Sequence, residues 1–373
     1  MSTTEGLLSD GTAGDLGNFA SVLSARRSLV YDYLDNWRGA EAFKPQDIHD
    51  ALFSYVRHRG KGLRPLLLML CCGVAGGDEL QALPAAAAVE IFHIWTLVHD
   101  DIIDRDDMRR GSPTVHARYK EHARNDHGLG ASEAAHYGVA VAILAGDLQQ
   151  SWAYALLGEL SERGVDTNTV LALIRRMSES LTPQLLEGEM LDVQFALKPL
   201  DSITEDDVLH MLQQKTAALL EYAAWAGATI GLGGRQDDAG LAERLGRFAS
   251  LCGVAFQLQD DLLGLTADEA LLGKPVGSDI REGKRTLTVY RALARLGESD
   301  REQLLATLGN DKATPTEITA ALGLIQQSGA HDDIRVLADS YISQALAILD
   351  QLPQNKSVDL LRSWATFMLS RSY

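Results

Sequence analysis

Aspartates gather at the end of one unusually apolar stretch, residues 85–111, which reads AAAAVEIFHIWTLVHDDIIDRDDMRRG. Asp100 and Asp104 lie four residues apart, so a helix places both on one face, and Asp101 can join them. Repelling carboxylates at the end of a buried helix are costly unless a cation neutralises them. Because hard divalent cations prefer oxygen ligands, the cluster predicts a Mg2+ site, with a solvated helix end as the alternative.

A second acid cluster lies in the stretch FQLQDDLLG, residues 256–264. Gln257 precedes Asp260 by three residues and Asp261 by four, so the three side chains can share a helix face. Two such clusters on two apolar helices favour a site in which metal ions bridge carboxylates and phosphate oxygens. The chain has no P-loop and no glycine-rich nucleotide fingerprint, which argues against ATP or NAD as the ligand.

Basic residues stand in five places, each beside a helix end or a polar interruption of a helix. Lysine and arginine can hold a diphosphate directly, whereas carboxylates can do so only through a metal. The residue types therefore predict one metal-bridged and one metal-free diphosphate site. For the first basic pair the alternative is two solvated charges at a helix start. The basic residues are Lys61, Arg64, Arg109, Arg110, Lys215, Lys274 and Lys284.

The elements that carry these residues all have helical character, and strand signals are almost absent. Pro84 opens the helix that leads to the first acids, and Pro65 suits the first turn of the helix before it. Residues 112–130 and 266–284 lack strong periodicity and are predicted to be loops, the first with a short helix. We expect a disordered lead over residues 1–17 and a single all-α domain over residues 18–373. Further helices are predicted over 19–37, 45–57, 134–157, 170–195, 205–230 and 241–265.

Composition excludes several classes of protein. Of the 373 residues, 34 are basic and 51 acidic, and a net charge of −17 argues against non-specific nucleic-acid binding. Cys71, Cys72 and Cys252 form neither a disulfide framework nor a CxxC metal site, and the adjacent Cys71 and Cys72 are expected to be core residues. The N-terminus lacks the features of a signal peptide, and no apolar run is long enough for a membrane span. A cytoplasmic protein is expected.

Five motifs now stand in a fixed order over roughly residues 55–290: GKGLRP, HDDIIDRDDMRRG, KTA, FQLQDD and GKPVGSDIREGK. In this order they resemble the trans-isoprenyl diphosphate synthases of the polyprenyl synthetase family, and the short-chain geranylgeranyl type among them. The resemblance implies an all-α, isoprenoid-synthase-type helical bundle around a central cavity, with the acid motifs facing each other across its mouth. It also implies a homodimer that uses two or three Mg2+ ions per active site.

The same resemblance assigns roles to the matching residues. Metal ligands would be Asp100, Asp101, Asp104, Asp260 and Asp261. The allylic diphosphate would be contacted by Arg109, Lys215, Gln257 and Lys274, with Thr216 beside the allylic cation. Lys284 would be a further substrate-binding residue. Isopentenyl diphosphate would be held by Lys61, Arg64, His93 and Arg110, although His93 by itself reads as a core histidine.

Two departures from the family pattern have consequences. Glu189 replaces the usual glutamine of a GQxxD stretch, so only Asp192 carries over, as support for Lys215. The third acid of the second motif is replaced by Gly264, and Asp279 in the following loop is a candidate to compensate.

The expected reaction is the head-to-tail condensation of isopentenyl diphosphate with an allylic diphosphate (dimethylallyl, geranyl or farnesyl). Trp95 and Thr96 lie five and four residues before Asp100, where a bulky side chain would stop chain growth. A C20 product is favoured, with C15 farnesyl diphosphate as the alternative, and Trp95 as plain core packing also stays open. A class I terpene cyclase should instead carry an NDxxSxxxE-like motif, and a non-catalytic partner subunit should lack the first aspartates. His99 and His116 are expected to be structural or to support the residues that bind the ligands.

Overall fold

The computed structural model describes residues 12–199, 202–237, 240–266, 277–310 and 312–369. The chain is 80% helical, which confirms the predicted all-α fold class. The first helices are α1 Thr12–Asp35, α2 Gln46–Arg57, α3 Leu63–Val74, α4 Leu83–Ile103, α5 Val115–Asp126, α6 Ala131–Gly158, α7 Thr167–Arg176, α8 Thr182–Leu197 and α9 Glu205–Leu212. They are followed by α10 Ala218–Leu232, α11 Leu241–Thr266, α12 Ser278–Glu282, α13 Leu287–Arg295, α14 Glu298–Thr307, α15 Pro315–Gln327, α16 Ala330–Asp350 and α17 Lys356–Leu369.

The described residues divide into two compact units. Unit 1 comprises the chain up to Arg175 together with Ala223–Ala242 and Asn355–Trp364. Unit 2 comprises the remaining segments, Arg176–Tyr222, Glu243–Gln354 and the chain from Ala365. The single domain expected from the sequence remains a prediction. None of the described helices has the length and apolar character needed to cross a membrane.

Helix α4 lies at the centre of unit 1, where it packs against α1, α3 and α6. Its alanines from Ala85 to Ala88 are fully buried, and small side chains allow neighbouring helices to approach closely. Pro84 lies in its first turn, as predicted, because that turn has no internal acceptor for the missing N–H. Burial along the helix decreases towards its C-terminal end, where the aspartates lie.

Helix α1 begins at Thr12, although residues 1–17 were predicted to be disordered. Gly14 and Gly17 disfavour a helix in this stretch, but no proline interrupts it. The buried side chains of Phe19 and Leu34 stabilise α1 by packing. Once a helix has formed, each further residue adds a hydrogen bond, so the helix can extend to Thr12.

A small β-hairpin follows α4 and was not predicted. Strand β1, Met108–Arg109, pairs antiparallel with β2, Ser112–Pro113. The two turn residues, Arg110 and Gly111, have φ of 52° and 74°, and a tight hairpin turn needs positive φ at both positions. Two-residue strands leave no periodic signal, and arginine is unusual in the left-handed conformation. The backbone strain at Arg110 shows that its placement is enforced by the surrounding fold.

Two of the predicted helices, 170–195 and 205–230, are interrupted by π-helical turns. Met177–Leu181 separates α7 from α8, and Gln213–Ala217 separates α9 from α10. Such turns are single turns within longer helices, so they are too short to leave a periodic signal of their own. The second of these turns contains the KTA motif, residues 215–217.

The later helices of unit 2 enclose an apolar core. Its buried members include Leu265, Ile280, Val289, Leu304 and Ile325. This core fixes the end of α11 against the short helix α12, and these two helices carry the second acid motif and the residues that follow it.

Candidate active site

The three aspartates of the first acid motif differ in exposure: Asp101 is buried, whereas Asp100 and Asp104 are accessible. Asp101 is only 1% exposed, and both of its carboxylate oxygens accept hydrogen bonds. Arg109 Nε donates to Oδ1 at 2.6 Å, and the hydroxyl of Tyr55 donates to Oδ2. Burial raises the pKa of Asp101, while the hydrogen bonds from Arg109 and Tyr55 oppose that rise. This geometry argues against the prediction that Asp101 binds a metal directly.

Asp100 and Asp104 are the two accessible acids of the motif. The side chain of Asp100 is 20% exposed and lies 3.3 Å from Arg109 Nη2, and Asp104 is exposed at the end of α4. The backbone N–H of Asp104 donates to the carbonyl of Asp100 at 2.8 Å, which keeps the two residues one helical turn apart. Mg2+ is commonly held by one or two carboxylates together with substrate phosphates, so this pair fits the predicted metal.

A buried acid and phenol organise the basic residues of unit 1. Glu90 is 4% exposed and accepts a hydrogen bond of 2.5 Å from the Tyr31 hydroxyl, which in turn accepts the Gly60 N–H at 2.5 Å. A Cβ built on Gly60 would lie 3.1 Å from Glu90 Oε1 and 3.2 Å from Arg110 Nη1. Tyr31, Glu90 and Arg110 therefore meet at Gly60. Burial raises the pKa of Glu90, and Tyr31 and the nearby arginines oppose that rise. Glu90 was not predicted to be functional, although a carboxylate in an apolar helix was a visible signal.

Arg64 and His93 are brought together as predicted. Arg64 Nη1 lies 3.2 Å from His93 Nε2, and a guanidinium can only donate, so Nε2 accepts and the imidazole is neutral with its proton on Nδ1. Burial holds the pKa of His93 well below its usual range, and the charges of Arg64 and Arg110 add to this effect. Lys61 is exposed at the turn before α3. We call Lys61, Arg64, His93 and Arg110 the cationic group.

In unit 2 the π turn presents Lys215 to two carboxylates. Its Nζ lies 2.7 Å from Asp192 and 2.9 Å from Glu189, both on α8. The close approach requires Gly188, because a Cβ there would lie 2.3 Å from the backbone nitrogen of Lys215. The predicted contact with Asp192 is present, and Glu189 provides a second one.

A chain of hydrogen bonds links the π turn to the second acid motif. The Thr216 hydroxyl donates to Gln257 Oε1 at 3.0 Å, and Gln257 Nε2 donates to Asp261 Oδ1 at 2.9 Å. Burial raises the pKa of Asp261 to about 8, and the neighbouring Asp279 and Asp260 add to the rise. Asp260 is exposed, so it is the more accessible carboxylate of the pair.

Asp279 occupies the space that an acid side chain at position 264 would need. A Cβ built on Gly264 would lie 2.3 Å from Asp279 Oδ2. Lys284 Nζ lies 3.7 Å from the other oxygen of Asp279. Lys274, which was predicted to contact the allylic diphosphate, lies outside the described residues.

The two predicted chain-length residues lie on α4 before the acids. Trp95 is 5% exposed, and its ring meets those of Phe92 and His99 edge-on, with centroids 4.7 and 6.0 Å away. Thr96 is half-buried and donates to the carbonyl of His93 at 2.8 Å. His99 therefore packs on Trp95, in keeping with the structural role expected for it.

Comparison with known proteins gives a consistent result. Residues 45–325 match the family model described as Polyprenyl synthetase. The chain is 37% identical over 330 residues to the geranylgeranyl diphosphate synthase of Methanosarcina mazei, covering 88% of this chain and 91% of that one. It is 32% identical over 331 residues to the geranylfarnesyl diphosphate synthase of Aeropyrum pernix, covering 88% and 95%. A crystal structure of geranylgeranyl pyrophosphate synthase from Corynebacterium glutamicum, complexed with isoprenyl diphosphate and magnesium, matches with a TM-score of 0.80 and 30% identity, covering 95% and 99%.

Proposed function

The chain belongs to the polyprenyl synthetase family, and from this premise we propose that it extends allylic diphosphates to geranylgeranyl diphosphate. It is a trans-prenyl diphosphate synthase, a metal-dependent prenyltransferase. The C20 length, the choice of substrates and the roles of individual residues are the proposal.

The observation that carries the proposal is that unit 1 holds two groups of side chains of different chemistry, each suited to an anion. In the first, Asp100 and Asp104 stand beside Arg109, which suits a diphosphate reached through Mg2+. The second is the cationic group, in which Arg64 and Arg110 interact with the buried Glu90, and it suits a diphosphate held by direct ion pairs. A condensation of two diphosphates needs both kinds of site, whereas a terpene cyclase needs only the first.

The metal ligands we propose are Asp100, Asp104 and Asp260, whose carboxylates are accessible. Asp101 and Asp261 would act as positioning residues, because Asp101 orients Arg109 and Asp261 holds Gln257. When bound, two or three Mg2+ ions would neutralise the charge that develops on the leaving diphosphate.

Arg109 and Lys215 would bind the allylic diphosphate and stabilise the negative charge that grows as its C–O bond breaks. The Thr216 hydroxyl donates a hydrogen bond to Gln257, so the lone pairs of its oxygen would remain free to face the allylic carbocation. The double bond of isopentenyl diphosphate, held by the cationic group, then attacks that carbocation. His93 is a poor base for the final proton loss because its Nε2 already accepts from Arg64, so the departing diphosphate takes the proton.

Product length would be set along α4. Trp95 is large and buried on the helix that presents the acids, and Thr96 next to it is smaller. This pair supports a stop after C20, with C15 as the alternative. Relatives named for C20 and for C25 products both match the chain, so the proposed length rests on Trp95 and Thr96.

The missing acid of the second motif would be replaced by Asp279. Its carboxylate lies where a side chain at Gly264 would start, and Lys284 lies beside it. An acid supplied from the following segment would therefore act at this place in the motif.

We also propose that the enzyme is a homodimer. Exposed apolar side chains that recur at helical spacing are typical of surfaces covered by another subunit. On α8 this applies to Leu186 and Met190, which are 53% and 54% exposed, and to Leu197, which is 82% exposed. Light scattering should give twice the chain mass, and Met190→Glu should lower it if this face is the interface.

The testing experiment supplies labelled isopentenyl diphosphate with a C5, C10 or C15 allylic primer, with Mg2+ or with a chelator. Label should enter C20 diphosphate from each primer when Mg2+ is present. Asp100→Asn should abolish incorporation, while Asp107→Asn, an exposed acid of the same run, should retain it. Hydrocarbon released from a C15 or C20 diphosphate alone would indicate a cyclase, and no incorporation with any primer would indicate a non-catalytic subunit.

A further inference from the structure

Three metal-binding side chains meet where the first turn of α2 approaches the C-terminal end of α5. They are Asp47, His122 and His127, and one ligand atom from each lies within 4.8 Å of the others. None of them belongs to the acid motifs or to the cationic group. We propose that they form a binding site for a divalent transition metal of the Zn2+ class, with water completing the coordination.

The hydrogen bonds of His122 prepare it as a ligand. Its Nδ1 lies 2.5 Å from the carboxylate of Asp126, and its Nε2 lies 3.6 Å from Asp47 Oδ2. A carboxylate that accepts from Nδ1 fixes the tautomer whose lone pair is on Nε2, and this is the usual arrangement behind a metal-bound histidine. The Nε2 lone pair is thereby available on the Asp47 side of the ring.

Asp47 is also held in place. The Tyr137 hydroxyl donates to its Oδ2 at 2.9 Å, and the Tyr119 hydroxyl donates to its backbone carbonyl at 2.6 Å. These bonds come from α6 and α5, so α6 holds the carboxylate of Asp47 and α5 holds its backbone. A ligand that is fixed in advance loses little freedom when a metal binds.

The end of α5 positions His127. Gly128 follows with φ of 65°, and the Leu129 N–H donates to the Ala123 carbonyl at 3.1 Å, which closes the helix with a left-handed cap. The His127 ring lies 5.2 Å from the ring of His122. His127 is exposed, so an ion can enter from solvent, and the negative end of the helix dipole favours a cation there.

The donor set selects the class of metal. Two imidazoles and one carboxylate suit Zn2+, Co2+, Ni2+ or Cu2+, whereas Mg2+ prefers oxygen ligands alone. Tetrahedral Zn2+ with bonds of about 2.0 Å separates its ligand atoms by roughly 3.3 Å, close to the 3.6 Å between Asp47 and His122. The three cysteines are buried and offer no competing thiolate at the surface. The bound ion would join the start of α2 to the end of α5.

The test titrates the metal-free, untagged full chain with Co2+ in excess Mg2+, which occupies the oxygen sites, and follows the visible absorption of the bound ion. One Co2+ per chain should bind and be displaced by Zn2+. His122→Ala and His127→Ala should each weaken binding at least about 10-fold, and Asp126→Asn by roughly 10- to 100-fold. His331→Ala, which is outside the cluster, should have no effect.

A second readout is thermal unfolding. Zn2+ should raise the unfolding temperature of the wild type and leave that of His127→Ala unchanged, because only a folded site binds the ion. His127 is exposed, so this variant is expected to fold. Equal Co2+ affinity in the wild type, His122→Ala and His127→Ala, or no Co2+ uptake by the wild type, would overturn the proposal. Either result would leave His122 as an ion-pair bridge between Asp47 and Asp126.

Discussion

Replacing Arg109 with methionine should destabilise the protein through Asp101. Asp101 is 1% exposed, and Arg109 is its only described cationic partner, with Nε and Nη2 both 2.6 Å from Oδ1. Methionine keeps much of the side-chain volume but removes the charge, so Asp101 would retain only the neutral Tyr55 hydroxyl.

The burial of Asp101 sets how much unfolding free energy Arg109→Met should lose. Removing one partner of a buried ion pair costs about 3–5 kcal/mol. The side chain of Arg109 is 24% exposed, so water can reach part of the vacated space, and we expect about 3 kcal/mol, near the lower limit. For a unit of about 200 residues, the size of unit 1, the unfolding temperature should fall by roughly 6–12 °C.

The dependence on pH separates this mechanism from simple loss of packing. Burial already raises the pKa of Asp101, and loss of Arg109 would raise it further. The penalty applies to the charged carboxylate, so the deficit in unfolding temperature should be larger at pH 8 than at pH 5, where Asp101 takes up a proton.

Differential scanning fluorimetry at both pH values tests this, with Arg124→Met as the matched control. Arg124 forms an exposed pair with Glu121, so its loss should cost less than about 1 kcal/mol. Asp101→Asn added to Arg109→Met should recover most of the deficit. A deficit that is the same at both pH values, and that Asp101→Asn does not reduce, would refute the reasoning.

Three further predictions concern the product, the second acid motif and proton release. Trp95→Ala should shift the products beyond C20, as measured by mass spectrometry of the diphosphates, because it removes the largest buried side chain before the acids. Gly264→Ala should displace Asp279 by its 2.3 Å clash and lower kcat/KM by roughly 10- to 100-fold. Gly323→Ala, a helical glycine with nothing within 4 Å, should keep full activity and gain about 0.5–1 kcal/mol of stability. Mg2+ binding at pH 7 should release a proton from Asp261, whose pKa is raised to about 8, as detected by calorimetry in two buffers.

Each of these predictions has a contrary result. An unchanged product spectrum for Trp95→Ala would remove the chain-length role and leave only core packing. Equal kcat/KM for Gly264→Ala and wild type would remove Asp279 from the proposed site. Proton release that persists in Asp261→Asn would assign the titrating group elsewhere.

Features set by local sequence were predictable. The break before α3, Pro84 in the first turn of α4 and the aspartates at its C-terminal end follow from helix chemistry and spacing. The contact between Lys215 and Asp192 was inferred from a motif and is present in the structure.

Features that depend on distant partners were not predictable. Helical spacing placed Asp100, Asp101 and Asp104 together, but only tertiary structure brings Tyr55, 46 residues away, to Asp101 and turns that carboxylate inward. The bond between Tyr31 and Glu90 spans 59 residues. The hairpin that carries Arg109 and the π turn that carries Lys215 are too short to leave a periodic signal.

The central claim is tested most directly by one condensation on a defined primer. Wild-type chain, farnesyl diphosphate, labelled isopentenyl diphosphate and Mg2+ should give geranylgeranyl diphosphate with one labelled unit in each product molecule, identified by accurate mass. Absence of any labelled prenyl diphosphate, or label confined to chains well beyond C20, would contradict the account.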